Sequence, residues 1–582
     1  MAPSQSSDAA HIAEVKLQRL QGGQASIYFA SVIGGLILIF AVAHWSSWLL
    51  VRLHLEKAIW WKSCETPRKA LRRFLLRRKL LSVTILPERV ALVIVYFGVN
   101  IGVSFWDIDW HHYTTFANRL GWVSLCNMCL AVFLALKNTP LSPIAGRSYE
   151  SINVLHRFCG YTTILLMVVH TALYAAGLFG SDYAYLLTSS GTIGADVAGI
   201  AMILILLTAN GYVRRRKYEF FYIAHTILII TSLITVCYHT SKAARHSLYI
   251  ALIATALYAL DRALRLTRLL YTTLLSPTTA TLTPLPSSTS TRVTLSRSLP
   301  AVSPGSHASL YIPSLRAFQA HPFTMLNREP VEFVIAARDG FTRRLFEAAC
   351  EKPGRRVRVG VDGGYGAGPD AGGFERVVLF VGGSGATFAL ALACEWAGRF
   401  GGRGEGEGEG TGGLEVVWSV RGEGHLAGFK RELALLANHP RVTVRVHVTK
   451  PSPALEPPCE KPTTQTLTTL EEKLSTQIST TTTTTIEQPT PPSTPPALEP
   501  KLPISTHTEA LATPNPNLSI HAGRPNIPAT LARAASDCSA SDRVLVAVCG
   551  PAGLADGVRE AVARGERKGG PGFVLHAEAF GW

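Results

Sequence analysis

Four histidines at matched intervals are the residues in this chain best suited to redox chemistry. His156 and His170 lie fourteen residues apart in one apolar segment, and His225 and His239 lie fourteen apart in another. At about 100° per helical residue, fourteen steps return to within roughly 40° of the starting face and climb about 21 Å. Each helix then carries two imidazoles on one stripe, one near each end. A single imidazole in an apolar helix is often no more than a hydrogen-bonding contact to a neighbouring helix. Two matched pairs call for more than that. If the two segments run in the same direction, His156 faces His225 and His170 faces His239, and each facing pair can ligate a haem iron on both axial sides. Iron held in that way has no open position for oxygen and serves as an electron relay. The competing use of intramembrane histidine, a proton or metal path, recruits carboxylates, and Asp196 is the main one in these segments.

Helices must place those imidazoles, and the composition supplies them. The chain has 582 residues, 47% hydrophobic and only 16% charged, which is too apolar for a soluble protein of this size. The apolar runs are confined to residues 26–272. Seven segments there are long enough for a hydrocarbon core of about 30 Å: 26–50, 89–106, 120–136, 153–179, 193–213, 219–240 and 247–267. The fourth and the sixth are separated by one crossing, so they do run in the same direction. Polar residues precede the first segment and no cleavage-type sequence follows it, so it reads as a retained helix behind a tail at 1–25.

Basic residues give the orientation. The stretch from Arg52 to Glu88 has ten Lys or Arg, Arg214 to Lys217 are all basic, and Arg262, Arg265 and Arg268 follow the last helix. By contrast, 107–118 and 180–191 have none. The tail is therefore expected outside and the C-terminal region in the cytosol. A plasma membrane is the expected location, with a vacuolar membrane as the alternative. This distribution accounts for much of the net charge of +16 and makes a nucleic-acid partner unnecessary. None of the ten cysteines falls in an expected outer loop, so no external disulfide framework is implied, and Cys126 and Cys129 read as small buried apolar residues.

The remainder reads as two soluble domains. From 279 to 335, short Thr- and Val-rich stretches broken by Pro, Gly and Ser predict an antiparallel β-barrel domain over 279–372. An α/β nucleotide-binding domain over 373–582 is predicted from the run Val377 to Thr387. There a buried strand meets a turn containing Gly382, Gly383, Ser384 and Gly385 and a helix beginning at Ala386 and Thr387, an arrangement that brings backbone N–H groups to a pyrophosphate. A second strand, Val416 to Val420, ends at Arg421, a candidate for an adenosine 2'-phosphate. A third, Val544 to Val548, leads into Cys549, Gly550 and Pro551. Insertions at 401–413 and 451–515 are Gly/Glu-rich and Thr/Pro-rich, and neither can bury a core.

Several of these stretches resemble one family. The run KNTPLSPIAGRSYESINVLHRFCG from Lys137 to Gly160, with the paired histidines, resembles the fungal ferric-chelate reductases of the ferric reductase and NADPH oxidase superfamily. That resemblance implies two b-type haems in six core helices, with the first helix as an addition. It places Arg157 and Arg119 near the inner and outer haem levels as candidate propionate partners. His321, Pro322, Phe323 and Thr324 are similar to the family's HPFT flavin motif, with Phe323 and the Thr324 hydroxyl against the isoalloxazine, and Gly340, Phe341 and Thr342 would form the flavin-diphosphate turn. Cys549 to Pro551 resemble the nicotinamide-side motif, and Trp582 would stack on the flavin until nicotinamide displaces it. One departure is that the family's GPYG appears as Gly363, Gly364, Tyr365 and Gly366.

The resemblance implies a ferredoxin reductase-like soluble half that binds FAD and NADPH. It also implies electron delivery to ferric chelates or siderophores outside, or to Cu2+, in company with an iron permease or multicopper oxidase system. Two alternatives use the same parts: an NADPH oxidase making superoxide, and a haem-bearing membrane transporter without catalysis. The short, cysteine-free outer loops disfavour the first. The loop Asp107 to His112 has groups that could attract Fe3+ or Cu2+, although a solvated turn accounts for it as well.

Overall fold

The computed structural model describes residues 5–52, 87–108, 110, 113–141, 144, 149–179, 183–299, 303, 305–316, 319–366, 368–400, 412–450, 516–539, 542–565 and 570–578. Among the described residues, seven long helices form the first half: α1 (Gln5–Arg52), α2 (Pro87–Phe105), α3 (Tyr113–Ala135), α4 (Tyr149–Phe179), α5 (Ser190–Thr208), α6 (Tyr218–Ala243) and α7 (Arg245–Leu270). Six are long and apolar enough to cross a membrane, while α2 has a shorter apolar stretch at Leu92–Phe105. Residues such as Ile200, Leu207, Ile227 and Ile234 are exposed, the arrangement expected where lipid is the solvent. The chain is a multi-pass membrane protein.

Residues 5–25, read from the sequence as a tail ahead of the first span, are helical and continuous with it, and Gln18 finds partners within the bundle. Gln18 donates to Thr115 Oγ1 at 3.2 Å and accepts from Asn118 at 2.5 Å. Gln18, Gly22, Ala25, Ser26 and Phe29 are the buried residues of this stretch, at the i, i+4, i+7, i+8, i+11 spacing of one helix stripe. A side chain at Gly22 would overlap the Trp122 indole. Small residues thus bring α1 onto α3, as close packing in lipid requires.

The central helix is α3, which packs against α1, α2, α4 and α7. Its Asn127 is fully buried, accepts from Tyr96 Oη at 2.5 Å and donates to Asn100 Oδ1 at 2.6 Å, tying α2 to α3. α4 packs chiefly on α3, and α6 packs chiefly on α5. The two histidine-bearing helices therefore stand apart with their rings between them.

The second part is an antiparallel sheet of seven strands: β1 (Thr278–Leu285), β2 (Ser290–Leu295), β3 (His307–Tyr311), β4 (Ala320–Thr324), β5 (Asn327–Arg328), β6 (Val331–Ala336) and β7 (Arg355–Tyr365), in the order β4-β3-β7-β1-β2-β6-β5. Its end strand β4 returns close to β6, giving a barrel-like wrap around Leu282, Val293, Leu310 and Phe333. Helix α8 (Phe341–Glu351) closes that core with Phe341 and Leu345.

The third part is a parallel sheet of β8 (Arg376–Gly382), β9 (Gly413–Val420), β10 (Val442–Val448), β11 (Leu518–Ala522), β12 (Arg543–Cys549) and β13 (Gly572–Glu578), in the order β11-β10-β9-β8-β12-β13. Helices α9 (Ala386–Phe400), α10 (Lys430–Ala437), α11 (Ile527–Ser536) and α12 (Ala552–Gly565) cover it. The strand order reverses at β8. Ligands of such sheets bind in the crevice at the carboxyl ends of the strands beside that reversal, here β8, β9 and β12. An antiparallel β domain followed by a parallel α/β domain is the order expected from the sequence.

Candidate redox centre and its family

Three of the four membrane histidines are oriented by carbonyl groups. His156 Nδ1 lies 2.8 Å from Ala131 O and His170 Nδ1 lies 2.6 Å from Ala117 O, so two carbonyls fourteen residues apart on α3 hold two imidazoles fourteen apart on α4. His239 Nδ1 is 2.9 Å from Gly191 O of α5. A carbonyl only accepts, so in each case Nδ1 carries the proton and Nε2 keeps a lone pair for a metal. The rings of His156 and His225 face each other with centroids 6.4 Å apart and planes at 80°. Two imidazoles bound at about 2 Å on opposite sides of one metal would have centroids about 6 Å apart. Among the described residues, His225 Nδ1 is buried without a partner. Gly121 gives the His170 ring its room, since a Cβ there would lie 2.8 Å from Cε1.

In the flavin-type domain, His321 to Thr324 form β4 and are half-buried. The Phe341 ring stacks on His321 at 4.5 Å and lies 6.1 Å from Phe323. Phe341 is therefore part of the core rather than of an open phosphate turn. Gly340 (φ 65°) starts α8, but the Thr342 hydroxyl is already engaged, accepting from Arg338 N at 2.9 Å. The helix N-terminus thus offers backbone N–H groups and no free hydroxyl. His321 Nε2 is buried without a partner among the described residues, and burial lowers the pKa of this imidazole, so it is neutral near neutrality.

In the nucleotide-type domain, two distant motifs interlock. β8 and β12 are parallel neighbours that pair Val381 with Cys549. A Cβ on Gly382 would strike Pro551 Cδ at 2.5 Å, one on Gly385 would strike Cys549 O at 2.7 Å, and one on Gly550 would strike Gly382 N at 2.9 Å. Glycine is required because backbone meets backbone. The turn is held by Trp418 Nε1, which donates to Gly383 O at 3.1 Å, and by Thr387, which donates to Ser384 O at 3.1 Å. Ala386 and Thr387 are buried, so Ala386 contributes backbone to the turn and the Thr387 hydroxyl is spent inside it on Ser384 O. Arg421 is exposed just beyond β9, on the same edge. Burial, with Glu578 adding to it, pushes the Cys549 thiol up to about 12. It remains a neutral thiol and not a nucleophile.

The family profile described as "Ferric reductase like transmembrane component" matches residues 120–236, "FAD-binding domain" matches 278–369 and "Ferric reductase NAD binding domain" matches 374–563. The chain belongs to the ferric reductase family. It is 28% identical over 240 residues to "Ferric reductase transmembrane component 1" of Schizosaccharomyces pombe, covering 40% of this chain and 42% of that one. Identity to "Ferric/cupric reductase transmembrane component 2" of the same yeast is 27%, covering 48% of this chain and 49% of that one. With "Ferric reductase transmembrane component 4" of Saccharomyces cerevisiae it is 28%, covering 57% and 45%. The chain spans less than half the length of each of these curated relatives. Among solved structures it aligns with a flavohemoglobin from Malassezia yamatoensis at 12% identity and a TM-score of 0.35, covering 80% of this chain and 95% of that one.

Not every residue expected at the centre of this ferric reductase family member is turned to it. Arg119 is buried, and its Nη1 donates to Val103 O and Trp106 O at 3.2 and 3.0 Å. It closes the last turn of α2, because a buried guanidinium takes the carbonyls the helix end leaves open. Arg157 is exposed beside its histidine. The Tyr365 ring packs under Arg268 and its hydroxyl donates to Asp362, so this member of the GGYG stretch faces the membrane domain. Gly364 is the extra residue of a bulge that pairs His307 with Tyr365 and Ala308 with Gly363. Trp582, both insertions apart from Gly412 and Gly413, and Asp109, His111 and His112 of the loop after α2 lie outside the described residues. A site residue that sequence reasoning passed over is Glu578, buried opposite Cys549 in the β12–β13 register. The chain-end stretch EAFGW contains it, but only strand pairing shows what it meets.

Proposed function

We propose that this protein is a transmembrane ferric-chelate reductase that moves electrons from cytosolic NADPH to Fe3+, or to Cu2+, outside the cell in the service of iron uptake. The observation that carries this reading is the 6.4 Å opposition of His156 and His225, with carbonyl-oriented imidazoles repeated one level away at His170 and His239. Oriented imidazoles, an unpartnered His225 nitrogen and two helices held apart fit a haem at each level. His156 with His225 would hold the inner haem and His170 with His239 the outer, with Arg157 near the inner propionates.

The soluble domains complete the route. His321 to Thr324 and the N–H groups after Gly340 would bind FAD, and the unpartnered His321 Nε2 fits a flavin hydrogen bond. The glycine turn at 382–385 would bind the NADPH pyrophosphate, Arg421 its 2'-phosphate, and Cys549 to Pro551 the nicotinamide side, with Trp582 stacking on the flavin between turnovers. When bound, FAD accepts two electrons and releases them singly, and each haem passes one at a time. The balance is one NADPH and two Fe3+ giving NADP+, two Fe2+ and one proton. Protein side chains need only align and insulate. The lysines and arginines of 52–88 and 214–217 support a cytosolic flavin side, and a plasma membrane, with an iron permease or multicopper oxidase as partner, suits this use. The acceptor is drawn from the names of the yeast relatives, one of them ferric/cupric.

The test is NADPH-driven reduction of an impermeant Fe3+ chelate by sealed vesicles, with superoxide dismutase present and His170→Ala compared with wild type. Dismutase-insensitive Fe2+ formation that is lost in the variant is expected. Dismutase-sensitive reduction would move the assignment to a superoxide-forming oxidase, and activity indifferent to His170 would overturn the relay.

A further inference from the structure

We propose that Asp362, clamped by Arg265 and Arg268 of α7, is the positioning residue that docks the flavin domain on the membrane domain and so sets the gap between the flavin strand and the His156–His225 level. This rests on the reductase reading above. Asp362 is 4% exposed. Arg265 Nε donates to its Oδ2 at 2.8 Å, Arg268 Nη1 lies 3.7 Å from its Oδ1, and Tyr365 Oη donates to Oδ1 at 2.5 Å. Burial, reinforced by Asp362, raises the Tyr365 pKa, so the phenol keeps the proton it donates.

Around this carboxylate the two domains touch through backbone. Val361 N donates to Thr272 Oγ1 at 3.0 Å, just where α7 ends. Gly360 lets the helix come this near, since a Cβ there would lie 2.5 Å from Leu269 Cδ1 and 2.6 Å from Thr273 Oγ1.

The clamp is joined on both sides to the electron route. On the membrane side, Arg268 also meets Asn138, whose backbone and side-chain nitrogens donate to the buried Asp261 at 3.0 and 2.8 Å. Asn138 follows α3, whose Ala131 orients His156. On the flavin side, β7 pairs with β3, and β3 pairs Leu310 with His321 and His307 with Thr324 of β4. Hydrogen bonds and ion pairs, joined by the short stretch of chain from Ala131 to Asn138, therefore lead from an inner histidine to the flavin motif through Asp362. Electron transfer falls steeply with distance, so a contact that holds the two ends in register controls rate without touching either cofactor. The arginines of α7 serve this contact as well as membrane orientation.

The experiment uses the full-length holoprotein in nanodiscs, with Asp362→Asn and Arg265→Gln. Three quantities are read: amide exchange at Val361 and along 270–277, NADPH oxidation with a soluble dye that takes electrons at the flavin, and single-turnover reduction of the haem absorption band. Both variants should exchange at least about tenfold faster at Val361. Haem reduction should slow by about tenfold or more, with haem content and dye reduction unchanged. Unaltered haem reduction, or dye and haem rates falling together, overturns the proposal. If wild type oxidises NADPH and never reduces haem, the reductase reading fails, while exchange at Val361 still decides whether Asp362 holds the junction. Should Asp362→Asn fail to accumulate, Arg265→Gln alone reports the same quantities.

Discussion

His156 Nδ1 and the carbonyl of Ala131 lie 2.8 Å apart, which fixes one proton on Nδ1 and leaves the lone pair on Nε2. Replacing His156 by Ala should lower bound haem from about two per chain to about one, read as extracted haem against protein. His156→Ala and His225→Ala should give the same loss, because one level needs both rings. Two different losses would show that the rings serve separate sites.

Gly121 supports the other level. With a Cβ 2.8 Å from His170 Cε1, Gly121→Ala must displace that ring. Chelate reduction should fall by roughly tenfold, as small misplacements in an ordered site commonly cost that much or more. Dye reduction at the flavin should not change, which separates a membrane defect from loss of the soluble domains.

Arg421 stands exposed at the carboxyl edge of the parallel sheet. A charge-assisted phosphate contact contributes about 1.5–3 kcal/mol, so Arg421→Ala should raise KM for NADPH roughly 10- to 100-fold. KM for NADH should stay as it was. Equal increases for both coenzymes would place Arg421 outside the 2'-phosphate site.

Arg292 binds the flavin and nucleotide domains together, donating to Glu332 at 2.7 Å, to Gly428 O at 2.8 Å and to Glu432 at 3.1 Å. Arg292→Ala would strand two buried carboxylates, at a cost of about 3 kcal/mol. The midpoint of thermal flavin release should drop by several degrees, and Arg292→Lys should recover part of that.

Burial holds His321 below the ordinary histidine value, Arg316 acts in the same sense, and Glu219 opposes them. A depressed value means that the unfolded chain takes up the proton more readily than the folded one. The stabilisation is therefore complete above about pH 6.5 and is lost as pH falls below it. Flavin retention, followed by fluorescence from pH 7.5 to 5.5, should decline on acidification, and His321→Gln should flatten that decline.

Much of the site is legible in the sequence. Long apolar runs report a hydrocarbon solvent directly, and fourteen-residue spacing survives as a helical stripe because helix geometry is local. The glycine turn at 382–385, the HPFT stretch and Cys549 to Pro551 were likewise visible, each being a short contiguous pattern. Strands β10, β11 and β13 were not identified, although β10 alternates buried and half-buried residues. β11 follows the long insertion at 451–515, and its residues are only half-buried or exposed, so no alternation of burial marks it.

What the sequence by itself determined about this protein is therefore its division into a membrane bundle and two soluble domains, together with the residue types at its redox and nucleotide motifs. Only the tertiary structure decided which partners those residues take. Arg119 closes a helix end, Tyr365 turns to the membrane domain, residues 5–25 join the bundle, and Glu578 meets Cys549. Arg265 and Asp362, separated by 97 positions, form an ion pair that no local pattern announces. Helical period and turn chemistry are set by neighbours along the chain, whereas ion pairs, register and ring opposition depend on which surfaces meet once the elements have packed.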